Sequence, residues 1–205
     1  MVIVFARAPV SGKAKTRLAS RIGAFRAAKL QARMTRQALI TAKRAGCGPV
    51  ELHGAPRAHA FFRLCARQYG VALRSQRGRD LGERMHRALA AALRRYRAAV
   101  LIGSDCPELG ADDLRRAARS LRGACDVVLA PAEDGGYALI GARAARRGVF
   151  HGVAWGEASV YRRTVENLNA RALRWRALRT VWDVDRPEDV ARLDGLRFRR
   201  GAGAF

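Results

Sequence analysis

Val2, Ile3, Val4 and Phe5 form an apolar run of β-branched and aromatic residues, too short for a helix and suited to a strand buried on both faces of a parallel sheet. Similar runs return at residues 99–102, 127–130 and 137–140, with further strand candidates at 50–53, 71–73 and 178–181. Between them the apolar residues recur at helical spacing. Residues 18–45, with Leu30, Met34, Ala38 and Thr41 on one stripe, read as one long helix or as two broken near Gly23, stopped by Gly46 and Gly48. Further helices are expected behind Pro56 to Tyr69, at 81–97, at 111–122 with Asp112 and Asp113 in its first turn, at 159–168, and after Pro187. Alternating strands and helices predict an α/β fold, a three-layer α/β/α sandwich around a mostly parallel mixed sheet with right-handed crossovers. We expect one domain over residues 1–196 and a flexible basic tail over 197–205.

In such sheets ligands gather beyond the carboxyl ends of the strands. The loop after Phe5 has an uneven content. Pro9, Ser11 and Gly12 break regular structure, Arg7, Lys13, Lys15 and Arg17 concentrate positive charge, and Thr16 can cap the helix that follows. A strand feeding a basic loop and a helix amino end suits a phosphate, although a plain surface connection has the same ingredients. It is not a P-loop of the GxxxxGK[ST] kind, because position 7 is arginine and Ala14 follows Lys13.

Three acidic stretches follow strand candidates. GSDCPEL places Asp105 two residues past a buried strand, where a carboxylate can ligate Mg²⁺ or Mn²⁺ or bond nearby turn amides. WDVDRPEDV supplies Asp183 and Asp185, which point to the same side of an extended chain and could share one ion. Asp185 equally reads as a helix cap, with Pro187 in the first turn and Glu188 three residues on. PAEDGGYALIG is a hairpin signal at Asp134-Gly135, or a place where Glu133 or Asp134 orients an acceptor beside Gly135 and Gly136.

The formal charge of +23 points less firmly to nucleic acid than its size suggests. Only four of the 40 basic residues are lysines, and the arginines are spread along nearly every expected helix. Nonspecific adhesion to polyanions at low salt is expected, and no specific nucleic-acid partner. No apolar run approaches the roughly 20 residues of a membrane span, and the first is too short for a signal peptide, which predicts a cytoplasmic protein. Cys47, Cys65, Cys106 and Cys125 form no CxxC pair, and the four histidines share no spacing. GxSxG and HExxH are both missing, so hydrolase and metalloprotease chemistry has no support.

Taken in order, FARAPVSGKAKTRL, DLGERM, GSDCPEL, PAEDGGYALIG and WDVDRPEDV resemble the glycosyltransferase-A-like family known as radical-SAM/selenodomain-associated transferase 1, related more distantly to the molybdenum-cofactor and 2-phospholactate guanylyltransferases. The resemblance spans residues 1–194. It implies a nucleotide-diphosphosugar-transferase (GT-A, Rossmann-like) fold and a Mg²⁺- or Mn²⁺-dependent transferase, with a nucleotide or nucleotide-sugar donor and a small-molecule acceptor. Carried over by motif, Ala6, Arg7, Gly12, Lys15, Arg17, Asp80 and Gly82 would form the nucleotide pocket. Asp105, Asp183 and Asp185 would hold the metal, and Lys15 and Asp105 would be the catalytic pair. Asp134, Gly135, Gly136, Trp155 and Ser159 would face the acceptor. Glycosyl transfer is the leading expectation; nucleotidyl transfer from a nucleoside triphosphate and polyanion binding on an inactive transferase fold are the alternatives. Either a monomer or a homodimer is compatible with the sequence.

Overall fold

The computed structural model describes residues 1–194; the expected boundary at 196 and the tail 197–205 lie outside the described residues. One seven-stranded sheet organises them. Its strands are β1 (Val2–Arg7), β2 (Val50–Ala55), β3 (Ala72–Ser75), β4 (Ala99–Gly103), β5 (Val127–Pro131), β6 (Tyr137–Ala142) and β7 (Trp175–Ala177). They lie in the order β3-β2-β1-β4-β6-β5-β7. All neighbours run parallel except β6, which is antiparallel to both β4 and β5. The fully buried run Val2–Val4 takes the central strand, paired on both sides, where a near-continuous apolar sequence is required.

The helices are α1 (Thr16–Ile22), α2 (Ala24–Ala45), α3 (Ala60–Tyr69), α4 (Leu81–Leu93), α5 (Ala111–Arg122), α6 (Val160–Asn169) and α7 (Asp189–Asp194). Alternate residues of each strand face opposite layers. Val2, Val4, Leu52, Val100, Ile102 and Val128 pack with Leu39 and Ala42 of α2, Phe62 and Cys65 of α3, and Leu114 and Leu121 of α5. Ile3, Phe5, Leu101, Leu129 and Ile140 pack on the other face with Met85 and Leu89 of α4 and Leu168 of α6. A smaller cluster, Leu18, Ala27, Met34, Trp182, Val184 and Leu193, fastens α1 and α7 beside α2. Among the described residues no helix is long and apolar enough to cross a membrane.

Several boundaries differ from the sequence reading. The long helix is broken at Gly23, and its buried stripe includes the polar Gln31 and Thr35 while Leu30 and Ala38 are only half-buried. The helix expected behind Pro56 begins at Ala60, where the His59 ring accepts the Phe61 amide as a cap. The helix from Leu81 stops at Leu93, four residues before Arg97. The last strand is Trp175–Ala177 and not 178–181. The chain pairs there with Val127–Leu129, then continues along the same edge, where Leu178 N donates to Leu129 O at 2.8 Å, Val181 N donates to Pro131 O at 2.9 Å, and Val181 forms a bridge with Ala132. A three-residue edge strand with two of its residues exposed carries no apolar run that a periodicity argument could detect.

Candidate functional site

The loop after β1 turns through Ser11–Lys13 and delivers Lys15, whose backbone lies in the left-handed region at φ 50 and ψ 48. That conformation disfavours a side-chain-bearing residue by about 1–2 kcal/mol, and such strain is held by surrounding structure. Lys15, not Thr16, is the cap residue of α1, and no side chain caps the helix. The Lys15 side chain is only 5% exposed. Its Nζ donates to the Val184 carbonyl at 2.6 Å, lies 3.1 Å from Asp105 Oδ2 and stands 4.0 Å from Asp185 Oδ1. The exposed Arg17 donates through Nη1 to Asp185 Oδ2 at 2.7 Å. Lys15, Asp105 and Asp185, far apart in the chain, thus meet beyond the carboxyl ends of β1 and β4.

Main-chain and side-chain links hold the 105 loop against the 183–185 segment. Val184 N donates to Asp105 O, and the buried Cys106 thiol donates to Trp182 O, both at 2.9 Å. Burial pushes that thiol up to about 12, so it stays protonated. Trp182 N donates to Glu108 Oε2 at 3.0 Å. Arg179 grips both Glu108 and the buried Asp113 of α5, reaching Asp113 Oδ1 at 3.1 Å and Oδ2 at 2.9 Å. Burial alone would raise the Asp113 pKa, but the Arg179 guanidinium and the Gly110 amide outweigh it and hold the carboxyl below its ordinary value. A depressed carboxylate stabilises the fold above its unfolded pKa, about 3.9, and that contribution is lost as pH falls through the folded value. Arg179→Ala is therefore expected to lower the unfolding free energy at pH 7 by about 2–3 kcal/mol. This lies below the full buried-pair figure because Arg179 is 39% exposed. In urea titrations the deficit should begin to shrink below about pH 4 and disappear only once the pH is below the depressed Asp113 value of the parent.

Asp185 does not cap α7. The Asp189 carboxylate reaches back from the start of that helix to accept the amides of Asp185 at 2.9 Å and Arg186 at 2.6 Å, and the Asp185 carboxylate faces Lys15 and Arg17. The Asp183 carboxyl is pushed up to about 6, first by burial and then by Asp134, with Asp185 and Asp105 adding to the effect and Lys15 opposing it. Three carboxylates, Asp134, Asp185 and Asp105, thus act on Asp183 against the Lys15 ammonium. Among the described residues no three His, Cys, Asp or Glu side chains stand as a group that could hold a metal ion as placed. The donor chemistry nonetheless fits a hard divalent cation, since Asp105, Asp183 and Asp185 offer only carboxylate oxygens and their three charges are met by two cationic side chains, Lys15 and Arg17.

The other expected site residues fall into two groups. PAEDGG is a hairpin turn between β5 and β6, with Asp134 Oδ1 accepting the Gly136 amide at 2.8 Å. Gly135 packs against the Ala158 backbone and accepts from Tyr161 N at 2.8 Å, so the hairpin and residues 155–159 lie side by side. Glu133 is tied to Arg192 of α7. Trp155 is half-buried against Gly82, Tyr137 and Phe150, and Ser159 marks the start of α6. Asp80 caps α4 through the Glu83 amide at 2.7 Å. With Gly82 it lines a concavity of about 520 Å³ among Arg79, His86, Arg147, Phe150 and Arg171; Lys15, Asp105 and Asp185 are not part of that lining. Ala6 is buried, its carbonyl taken by Gln76 Nε2 at 3.1 Å, while Arg7 and Gly12 are exposed. Sequence reasoning missed the Val184 carbonyl, Arg179 and Gln76. A main-chain acceptor leaves no residue-type signal, and one arginine among 36 has none to stand out by.

Residues 26–157 match the family model described as an uncharacterized protein conserved in bacteria (DUF2064). No curated protein matches the chain. Among solved structures, a candidate nucleotide-diphospho-sugar transferase from Desulfovibrio desulfuricans G20 superposes with a TM-score of 0.86 at 32% identity, covering 97% of this chain and 89% of that one. A CMP:2-keto-3-deoxy-manno-octonic acid synthetase complexed with CTP has a TM-score of 0.61 at 11% identity, covering 95% and 96%. Glucosyl-3-phosphoglycerate synthase from Mycobacterium tuberculosis, in complex with Mn²⁺, UDP and glucosyl-3-phosphoglycerate, has a TM-score of 0.54 at 12% identity, covering 93% and 74%. The sheet is that of the nucleotide-diphosphosugar-transferase and nucleotidyltransferase fold.

Proposed function

The chain belongs to the DUF2064 family, and from that premise we propose that it is a divalent-metal-dependent transferase that takes a nucleotide-sugar donor and a small-molecule acceptor. The observation that carries this reading is the meeting of Lys15 Nζ with Asp105 Oδ2 and Asp185 Oδ1 beyond the carboxyl ends of β1 and β4. The 32% identity to a candidate nucleotide-diphospho-sugar transferase supports it, as does the resemblance of five ordered motifs to the radical-SAM/selenodomain-associated transferases.

In this reading Asp105 and Asp185, with Asp183 beside them, would hold Mg²⁺ or Mn²⁺. The bound cation supplies Lewis-acid neutralisation of a leaving diphosphate. Lys15 would bond the donor phosphates, moving from its carboxylate partners to phosphate oxygens a short reach away, while Val184 O keeps its amine in place. Arg17, exposed beside Asp185, would neutralise the outer phosphate. The hairpin at 134–136 and the segment 155–159, already packed together, would form the acceptor wall and orient its attacking hydroxyl.

A thermal-shift panel of nucleotides and nucleotide sugars, with and without Mn²⁺, tests this. A ligand that binds only the folded chain raises its melting temperature, and the expected result is a shift that requires both a nucleotide sugar and the metal. Mass spectrometry of products then separates the chemistries. Release of a nucleoside diphosphate supports glycosyl transfer, whereas pyrophosphate from a triphosphate would replace it with nucleotidyl transfer. Tight, steeply salt-dependent binding of nucleic acid without nucleotide preference would overturn both.

A further inference from the structure

α2 buries Ala27, Ala28, Met34, Leu39 and Ala42, yet the same face carries Gln31 and Thr35, which are buried as fully as these apolar neighbours. A buried amide is tolerated only when it is hydrogen-bonded. Gln31 Nε2 donates to Ser104 Oγ at 3.1 Å and to Thr35 Oγ1 at 3.5 Å, and the Thr35 hydroxyl donates to the Gln31 carbonyl at 2.9 Å. Ser104, also buried, immediately precedes Asp105. Because its oxygen receives the amide hydrogen, its own proton is directed to Asp105 Oδ1, 3.3 Å away. The other carboxylate oxygen, Oδ2, faces Lys15 Nζ at 3.1 Å. The line from Gln31 through Ser104 to Asp105 therefore runs in one direction, from the helical layer to the charged crevice.

We infer that Gln31 and Ser104 are positioning residues that lock the plane of the Asp105 carboxylate, reserving Oδ1 for the interior and presenting Oδ2 to the cation side of the crevice. The inference rests on the reading of Asp105 as the acid of a metal and phosphate site. Asp105 is 46% exposed, and a terminal carboxylate torsion is broad, so the side chain would swing in solvent without a partner on its inner oxygen. Groups that orient a ligating carboxylate change metal affinity by roughly 10–100-fold when removed. Gln31 acts one step further back, since its amide hydrogen decides which way the serine proton points.

The test compares the parent with Ser104→Ala, Ser104→Thr and Gln31→Glu, by crystal structure and by electron paramagnetic resonance titration of Mn²⁺ alone, with thermal melting as the fold control. Ser104→Thr keeps the hydroxyl and should retain both the Asp105 orientation and the parental Mn²⁺ affinity. Ser104→Ala should let the carboxylate turn away from Lys15 and weaken Mn²⁺ about tenfold. Gln31→Glu, whose carboxylate accepts but cannot donate, should draw the serine proton inward and act like Ser104→Ala. Should Ser104→Ala fail to fold, Gln31→Glu decides the matter against Ser104→Thr. An Asp105 carboxylate in its parental orientation in Ser104→Ala or Gln31→Glu, with Mn²⁺ affinity within twofold of the parent, would overturn the inference. If the parent and Asp105→Ala take up Mn²⁺ alike, the metal reading of Asp105 fails, and the orientation in the crystals still decides the role of Ser104.

Discussion

Asp105→Ala is expected to lose metal-dependent nucleotide affinity by roughly a hundredfold, equivalent to about 2.7 kcal/mol. Asp105 meets the Lys15 ammonium through Oδ2, and removing it takes one of the three carboxylates, with Asp183 and Asp185, that would hold the ion in the proposed site. The fold should hardly notice. Lys15 keeps the Val184 carbonyl at 2.6 Å and Asp185 at 4.0 Å, and Asp105 is nearly half exposed, so solvent screening limits the stability change to about 1 kcal/mol. Isothermal titration with UDP, with and without Mn²⁺, set beside thermal melting of both proteins, separates lost binding from lost structure. Equal affinity in variant and parent would remove Asp105 from the site.

Gly135→Val is expected to cost more stability than Arg179→Ala or Asp105→Ala. Gly135 has φ +88, and a Cβ placed on it would lie 2.2 Å from Ala158 O and 2.6 Å from Ala158 Cα. Neither atom belongs to a side chain that can move aside. The left-handed conformation contributes about 1–2 kcal/mol and forced separation of two backbones about 1–3 more. A total near 2–5 kcal/mol corresponds to a fall of about 4–20 °C in melting temperature for a chain of this length. Gly12→Ala is the matched control, because Gly12 has φ +77 but open space where the added methyl would sit, and only the conformational part should appear. The valine at 135 would push the 134–136 turn off residues 158–161, so acceptor-dependent turnover should fall further than donor affinity.

Most strands and the three layers follow from patterns that carry their own signal, whereas the order of the strands in the sheet does not. Val2–Phe5 and the run at 99–102 are apolar throughout because both faces of a central strand are covered, and the DG turn announces the β5–β6 hairpin. The last edge strand has no such signal, since Trp175, Arg176 and Ala177 are held by three registered pairs with β5 and not by burial. At the crevice, Lys15 and Asp105 are legible because charged residues cluster in loops after buried strands, whereas the strand expected ahead of Asp185 is absent and only the acidic WDVDRPEDV motif marks that residue. Their connections are not legible. Gln31 reads as one more polar residue on a long helix, Ser104 as part of a turn and Arg179 as one arginine among many, and only the approach of α2 to the loop after β4 and of the 179 segment to α5 gives them partners. Asp80 and Asp185 show the reverse failure. Asp80, expected in the nucleotide pocket, caps α4, while Asp185, which also reads as a cap, faces Lys15 and Arg17 instead.

An anomalous-difference map from crystals grown with Mn²⁺ and UDP tests the central claim most directly. One strong peak is expected within about 2.5 Å of a carboxylate oxygen of Asp105, with the diphosphate in contact with Lys15 Nζ. A metal peak elsewhere, or a nucleotide lying in the arginine-lined concavity beside α4 with Lys15 still bonded to Asp105, would contradict it.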